Sequence, residues 1–255
     1  MLKRPQLKYH PGGHPVLSKE DIDAYAMQFL KAYFASNVCN PSKLSATELL
    51  ELVREQDGVT YTINDLGHES LRKLLGRIYP TKKHILLDTC LTQDRVISFP
   101  FVAAHEVAHW LLHRDCDITA IRAQESFPDD HDETEKIDTF EITWTSLQRI
   151  EWQANKLAAA FLIPKKAAIH AIYALQTEFG INTRKGIIYK NASPAGSIET
   201  YAQIEKVAAT FGVSNTVTRI RLKDLGLYHE QSPNMQRPDR TARNPFSSVD
   251  DMPKL

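Results

Sequence analysis

Apolar positions along the chain switch between a helical and a strand period, and the switches divide it into elements. Ile22, Tyr25, Ala26, Phe29, Leu30, Tyr33 and Phe34 recur at helical spacing and form one stripe. Ser18 and Asp21 open this helix as a capping box, with Asp where Glu or Gln is usual. Ser45 and Glu48 open a second helix that runs to about Arg54. "VTYTIN", Val59–Asn64, alternates and is rich in β-branched residues, so it predicts a strand. "HILLD", His84–Asp88, predicts a second, more buried strand and a candidate sheet edge. "FPFVAAHEVAHWLLH" follows, with Pro100 suited to a first turn, and predicts a helix from near Ser98 to His113.

Residues 114–141 break this rhythm. They hold ten acidic and three basic residues and read as a solvated loop, with a hairpin or short strand at Phe140–Trp144. "SLQRIEWQANKLAAAFLIP" returns to a helical period, with Ala154, Leu157, Ala158, Phe161 and Leu162 on one face and Pro164 ending it. Another helix covers about Lys165–Phe179, and Gly186–Lys190 is a short strand candidate. Further on, one helix ends at Gly212. Another begins after Ser214, places Val217, Ile220, Leu222 and Leu225 inward, and closes at Gly226. The two make a helix-turn-helix-like pair. From His229, four prolines in 27 residues predict a disordered tail. The expected organisation is an irregular lead-in over 1–17, a main domain over 18–190, the helix pair over 191–228 and the tail over 229–255. The expected class is α+β, mostly helical with a small sheet.

Composition narrows the functions. With 42% apolar residues in 255, the chain is long enough for a substantial core. Its formal net charge is zero, which argues against broad electrostatic binding to nucleic acid or anionic membrane. No apolar run approaches the roughly 18 residues of a membrane span, and the N-terminal stretch lacks the apolar segment of a secretory signal. Cys39, Cys90 and Cys116 are widely spaced, odd in number and form no CxxC pair, so we expect thiols in a reducing, cytoplasmic setting.

The chemistry gathers in His105-Glu106-Val107-Ala108-His109, an HExxH match. Residues four apart share a helix face, so both imidazoles can converge on one ion. Glu106 stands beside the first histidine, where it can act as a general base on a water. A catalytic zinc needs three protein ligands and one open position. Glu151 is the candidate third ligand, because "EWQAN" sets its carboxylate on a helix otherwise lined with small alanines. Asn155, one turn on, is a candidate hydrogen-bond partner for a ligand imidazole. His113 is a poor ligand candidate: positions i, i+4 and i+8 drift about 40° around a helix, which leaves it a packing or capping role. His131 lies in the acidic loop, His84 reads as structural, and Trp110 and Trp152 read as core.

"FPFVAAHEVAHWLLH", then "EWQANKLAAAFLIP", then "VAATFGVSNTVTRIRLKDLGL" together resemble the ImmA/IrrE family of zinc metallopeptidases over about residues 60–228. The resemblance implies a minimal thermolysin-like zincin domain with a helix-turn-helix-like C-terminal extension. It implies one Zn2+ held by His105, His109 and Glu151, with Glu106 as catalytic base. It further implies an intracellular endopeptidase whose protein partner is a helix-turn-helix repressor, in stress-response or mobile-element circuits. Two departures stand out: Ala108 replaces the usual glycine, and 41 residues separate His109 from Glu151. The alternative is a DNA-binding or repressor-binding regulator with a structural or vestigial metal. Against direct DNA binding, residues 201–228 carry only four basic and two acidic residues, a weak footprint.

Overall fold

The computed structural model describes residues 2, 5–11, 13–66, 68–69, 72–73, 75–116, 144–181, 185–190 and 194–230. The chain divides into two compact units, Met1–Ala26 with Ser45–Ala158, and Met27–Leu44 with Ala159–Leu255. The fold is α+β and mostly helical, with small sheets, as the sequence predicts.

The first unit takes the start of helix α1 (Lys19–Tyr33), helix α2 (Ala46–Asp57), strands β1 (Thr60–Asn64), β2 (His68–Glu69), β3 (Arg72–Lys73), β4 (Gly76–Tyr79) and β5 (His84–Asp88), helix α3 (Phe99–His113) and most of helix α4 (Ser146–Leu162). The Ser18–Asp21 capping box forms in full, and the Ser45–Glu48 one forms by its N-cap half. The Ser18 and Asp21 backbone N–H groups donate to each other's side chains at 2.9 and 3.1 Å. The Ser45 hydroxyl accepts from Glu48 N–H at 3.2 Å. Helix α2 runs past Arg54 to Asp57, and Gly58 stops it in a left-handed conformation, φ 72°.

Strand β5 lies in the middle of a three-stranded sheet of order β1-β5-β4, parallel to β1 and antiparallel to β4. This corrects the expectation that His84–Asp88 forms a sheet edge. Ile85, Leu87 and Asp88 are buried, and a nearly unbroken apolar run suits a strand flanked on both sides. The edge beside α3 is β4, "GRIY", whose Gly and Arg mask any strand signal in the sequence. His84 is structural, as expected: Thr60 and Thr62 of β1 reach its two ring nitrogens at 2.8 and 3.1 Å.

Helix α3 packs against α2, β4 and β5 and is buried without a break from Glu106 to His113. A helix covered on all sides must satisfy every polar group it carries from within the protein. Ala103, Ala104 and Ala108 on α3, with Ala154 and Ala158 on α4, are fully buried small residues that permit close backbone approach. Residues 117–143, most of the acidic segment with His131 and all but Trp144 of the expected hairpin, lie outside the described residues.

The second unit holds the rest of α1 and α4, helix α5 (Lys165–Glu178), strand β6 (Ile188–Lys190), helices α6 (Pro194–Phe211) and α7 (Asn215–Asp224), and strand β7 (Tyr228–Glu230), which runs parallel to β6. Phe29 packs on Phe161 with ring centroids 4.8 Å apart. On α7 Leu222 is buried as expected, but Thr218 and Arg221 share its buried face, while Val217, Ile220 and Leu225 are only half-buried. The inward turn follows from Arg221, whose buried Nε donates to the Ile163 carbonyl at 3.2 Å and draws its own face into the core. β7 includes His229 and Glu230, and the remaining tail residues lie outside the described set. Among the described residues no single helix is long and apolar enough to cross a membrane.

One buried carboxylate ties the first unit together. Asp57, at the end of α2, accepts from Leu2 N–H at 2.7 Å, Trp110 Nε1–H at 2.8 Å and Arg114 at 2.6 Å. Burial pushes its carboxyl up, but these donors outweigh burial and hold it below its ordinary 3.8. A depressed carboxyl contributes stability that is present above its unfolded value of about 3.9 and is lost as pH falls through its folded value. Asp57→Ala leaves the Arg114 charge buried and unpaired, so it should cost about 3–5 kcal/mol at neutral pH. Urea unfolding should show that loss, and the gap between variant and parent should close in acid. A gap unchanged by acid would contradict it.

Candidate metal centre

Two turns of α3 and one of α4 build the site. His105 and His109, four apart on α3, point their Nε2 atoms at each other across 3.0 Å. Glu151 Oε2, from α4, stands 3.2 Å from His105 Nε2 and 3.4 Å from His109 Nε2. Bonds of about 2.0–2.1 Å to a tetrahedral zinc separate its ligand atoms by about 3.3–3.4 Å, so the three donors stand within a few tenths of an ångström of such a site. Two imidazoles and a carboxylate are also the donor set of a catalytic zinc, which keeps a fourth position open. The side chains grade outward: His109 is fully buried, His105 is 16% exposed and Glu151 29%. The cluster can therefore be reached from the His105 and Glu151 side.

The electrostatics fit a cation. Burial pushes the Glu151 carboxyl up, but the His109 and His105 imidazoles outweigh it and hold it well below the ordinary 4.5. Burial lowers His105, yet the hydrogen bond and charge of Glu151 and the charge of Glu106 raise it above its ordinary 6.5. Glu106 is almost wholly buried, and its Oε2 has no hydrogen-bond partner among the described residues. An orphaned buried carboxylate oxygen is costly unless a ligand or water completes it.

Neighbours set this carboxylate in place. Gly76, on the edge strand β4, lies so close to α3 that a Cβ there would stand 2.8 Å from Val102 Cγ1 and 2.9 Å from Glu106 Oε1. Its missing side chain is what lets β4 lie against the glutamate. His113 does not join the donors. Its Nε2 bonds Gln153 Oε1 at 2.9 Å, and its Nδ1 lies 3.1 Å from His109 Nδ1. Burial, then the neighbouring His109, hold His113 well below the ordinary histidine value. Asn155 is exposed and favours the protonated form of His105, while the buried His105 Nδ1 has no bond partner among the described residues. Sequence reasoning missed Gly76 and Gln153. Gln153 sits inside "EWQAN" and differs from a surface glutamine only in being buried.

Fold and donor set together define a zincin-like α+β domain. The model of the IrrE N-terminal-like domain, Peptidase_M78, matches residues 54–223, and the chain belongs to that metallopeptidase family. No curated protein matches the chain significantly. Among solved structures, a Mycobacterium tuberculosis transcriptional regulator is similar at 18% identity and a TM-score of 0.46. The match covers 80% of this chain and 46% of that one, so the chain spans about half the length of that neighbour.

Protons compete with a metal for His105. Zinc affinity, measured by chelator competition, should fall as pH drops through the raised His105 value, beginning above 6.5. Glu151→Gln should weaken binding and move that onset to lower pH. An onset that Glu151→Gln leaves in place would contradict the coupling.

Proposed function

We propose that the protein is a zinc-dependent endopeptidase that cleaves a protein partner, with His105, His109 and Glu151 as ligands and Glu106 as general base. The observation that carries this reading is the convergence of three donor atoms within 3.0 to 3.4 Å, beside a buried, incompletely bonded Glu106, in a chain of a metallopeptidase family. When bound, zinc polarises the scissile carbonyl and lowers the pKa of a water to about 7. Glu106 takes the proton as the water oxygen bonds to the carbonyl carbon. It then passes that proton to the amine nitrogen as the C–N bond breaks. The carboxylate ends as it began, so one residue serves as base and then acid.

Strand β4 supplies the docking edge in this reading. Among the described residues it pairs on one side only, with β5, and it lies against α3 at Glu106. An extended substrate segment can add to that edge by main-chain hydrogen bonds. The partner we favour is a transcriptional repressor with a helix-turn-helix, in keeping with the family resemblance. A cytoplasmic setting agrees with three cysteines that remain thiols. Direct DNA binding through α6 and α7 is disfavoured by where two of their four basic residues go. Arg221 is buried on the Ile163 carbonyl, and Lys223 lies 3.4 Å from Glu230.

Glu106→Gln should retain zinc and lower cleavage by about 10²–10⁴-fold. Gly76→Ala should also retain zinc and lower cleavage, because its methyl group displaces Glu106. Profiling of new protein N-termini after incubation with a soluble proteome reads both variants. Cleavage by Glu106→Gln at the parent rate would sink the mechanism.

A further inference from the structure

We propose that His113 and Gln153 are positioning residues that fix the proton order on His109, leaving its Nε2 bare to bind the ion. The inference rests on reading His109 as a ligand, and it follows from a chain of four hydrogen-bonding groups inside the first unit. The chain begins at the Pro15 carbonyl, which can only accept. Gln153 Nε2 lies 2.7 Å from it, so the amide nitrogen faces Pro15 and donates. That orientation turns Gln153 Oε1 toward His113, where it accepts at 2.9 Å, so His113 Nε2 carries a proton.

His113 is wholly buried, and the group that faces its Nε2, the Gln153 amide, carries no charge to balance a second proton. A second proton would place a charge out of water at a cost of several kcal/mol, so His113 Nδ1 stays bare and accepts. The group facing it at 3.1 Å is His109 Nδ1, which must therefore donate. A neutral imidazole carries one proton. With that proton on Nδ1, His109 Nε2 holds a lone pair toward His105 Nε2 and Glu151 Oε2. Free histidine in water favours the opposite tautomer, so the chain imposes an order that His109 would not adopt alone. Metal-ligating histidines take their orientation and basicity from such outer partners.

The lead-in gains a role by this route. Pro15 also bridges to Tyr9, and the adjacent His14 ring contacts the Ser146 hydroxyl at 3.1 Å. These contacts pin the carbonyl that orients Gln153.

Nitrogen-15 NMR of the imidazoles in the metal-free protein tests the order directly. The expected spectrum has His109 protonated at Nδ1 and His113 at Nε2; the reverse order at either ring overturns the proposal. A variant pair adds a second readout, zinc affinity by chelator competition. His113→Met fills the space but accepts no strong hydrogen bond, and affinity should fall about 10–100-fold. His113→Gln restores an acceptor for His109 and a donor for Gln153, and affinity should stay within about threefold of the parent. Equal affinities for the two variants overturn the proposal. A parent protein that binds no zinc overturns the ligand assignment itself, and the spectrum of the metal-free protein still decides the proton order.

Discussion

Helix α3 is buried without a break from Glu106 to His113, yet that stretch carries Glu106, His109 and His113 within two turns. Polar groups in that position are stable only if something inside the protein completes them. Much of the first unit answers that demand. Helix α4 brings Glu151 to the two imidazoles and Gln153 to His113. The lead-in brings the Pro15 carbonyl to Gln153. The edge strand brings a glycine to Glu106, where any side chain would collide. The same packing that satisfies His109 and His113 leaves one Glu106 oxygen and the His105 Nδ1 without a partner among the described residues.

How much of this was legible in the sequence depends on whether a residue's role follows from local spacing. His105 and His109 are legible because four residues make one helical turn, and Glu151 because a lone carboxylate among alanines stands out. Their convergence is in the geometry, and the proposed ligand roles build on it. Ser18, Asp21, Ser45 and Glu48 are legible for the same local reason. Gly76 is not, because its importance lies in a contact with Glu106, thirty positions away. Gln153 and Pro15 are not, because one acts through burial and the other through its backbone carbonyl, which no residue pattern encodes.

The sheet shows the same division. Val59–Asn64 and His84–Asp88 announce themselves by period and composition, but strand order is a tertiary property. "HILLD" was expected at an edge and lies at the centre, while "GRIY" forms the edge on α3 with almost no strand signal. In α7 the expected inward face holds at Leu222 and shifts toward Thr218 and Arg221. A buried arginine that bonds the Ile163 carbonyl takes the centre of the buried face and leaves Val217 and Ile220 half-buried.

We propose that His105, His109 and Glu151 hold one zinc ion beside Glu106. The direct measurement is anomalous X-ray diffraction above and below the zinc edge on crystals of the zinc-loaded protein. One anomalous peak per chain is expected, within bonding distance of His105 Nε2, His109 Nε2 and a Glu151 carboxylate oxygen. A peak held by other residues, or none at saturating zinc, would contradict it.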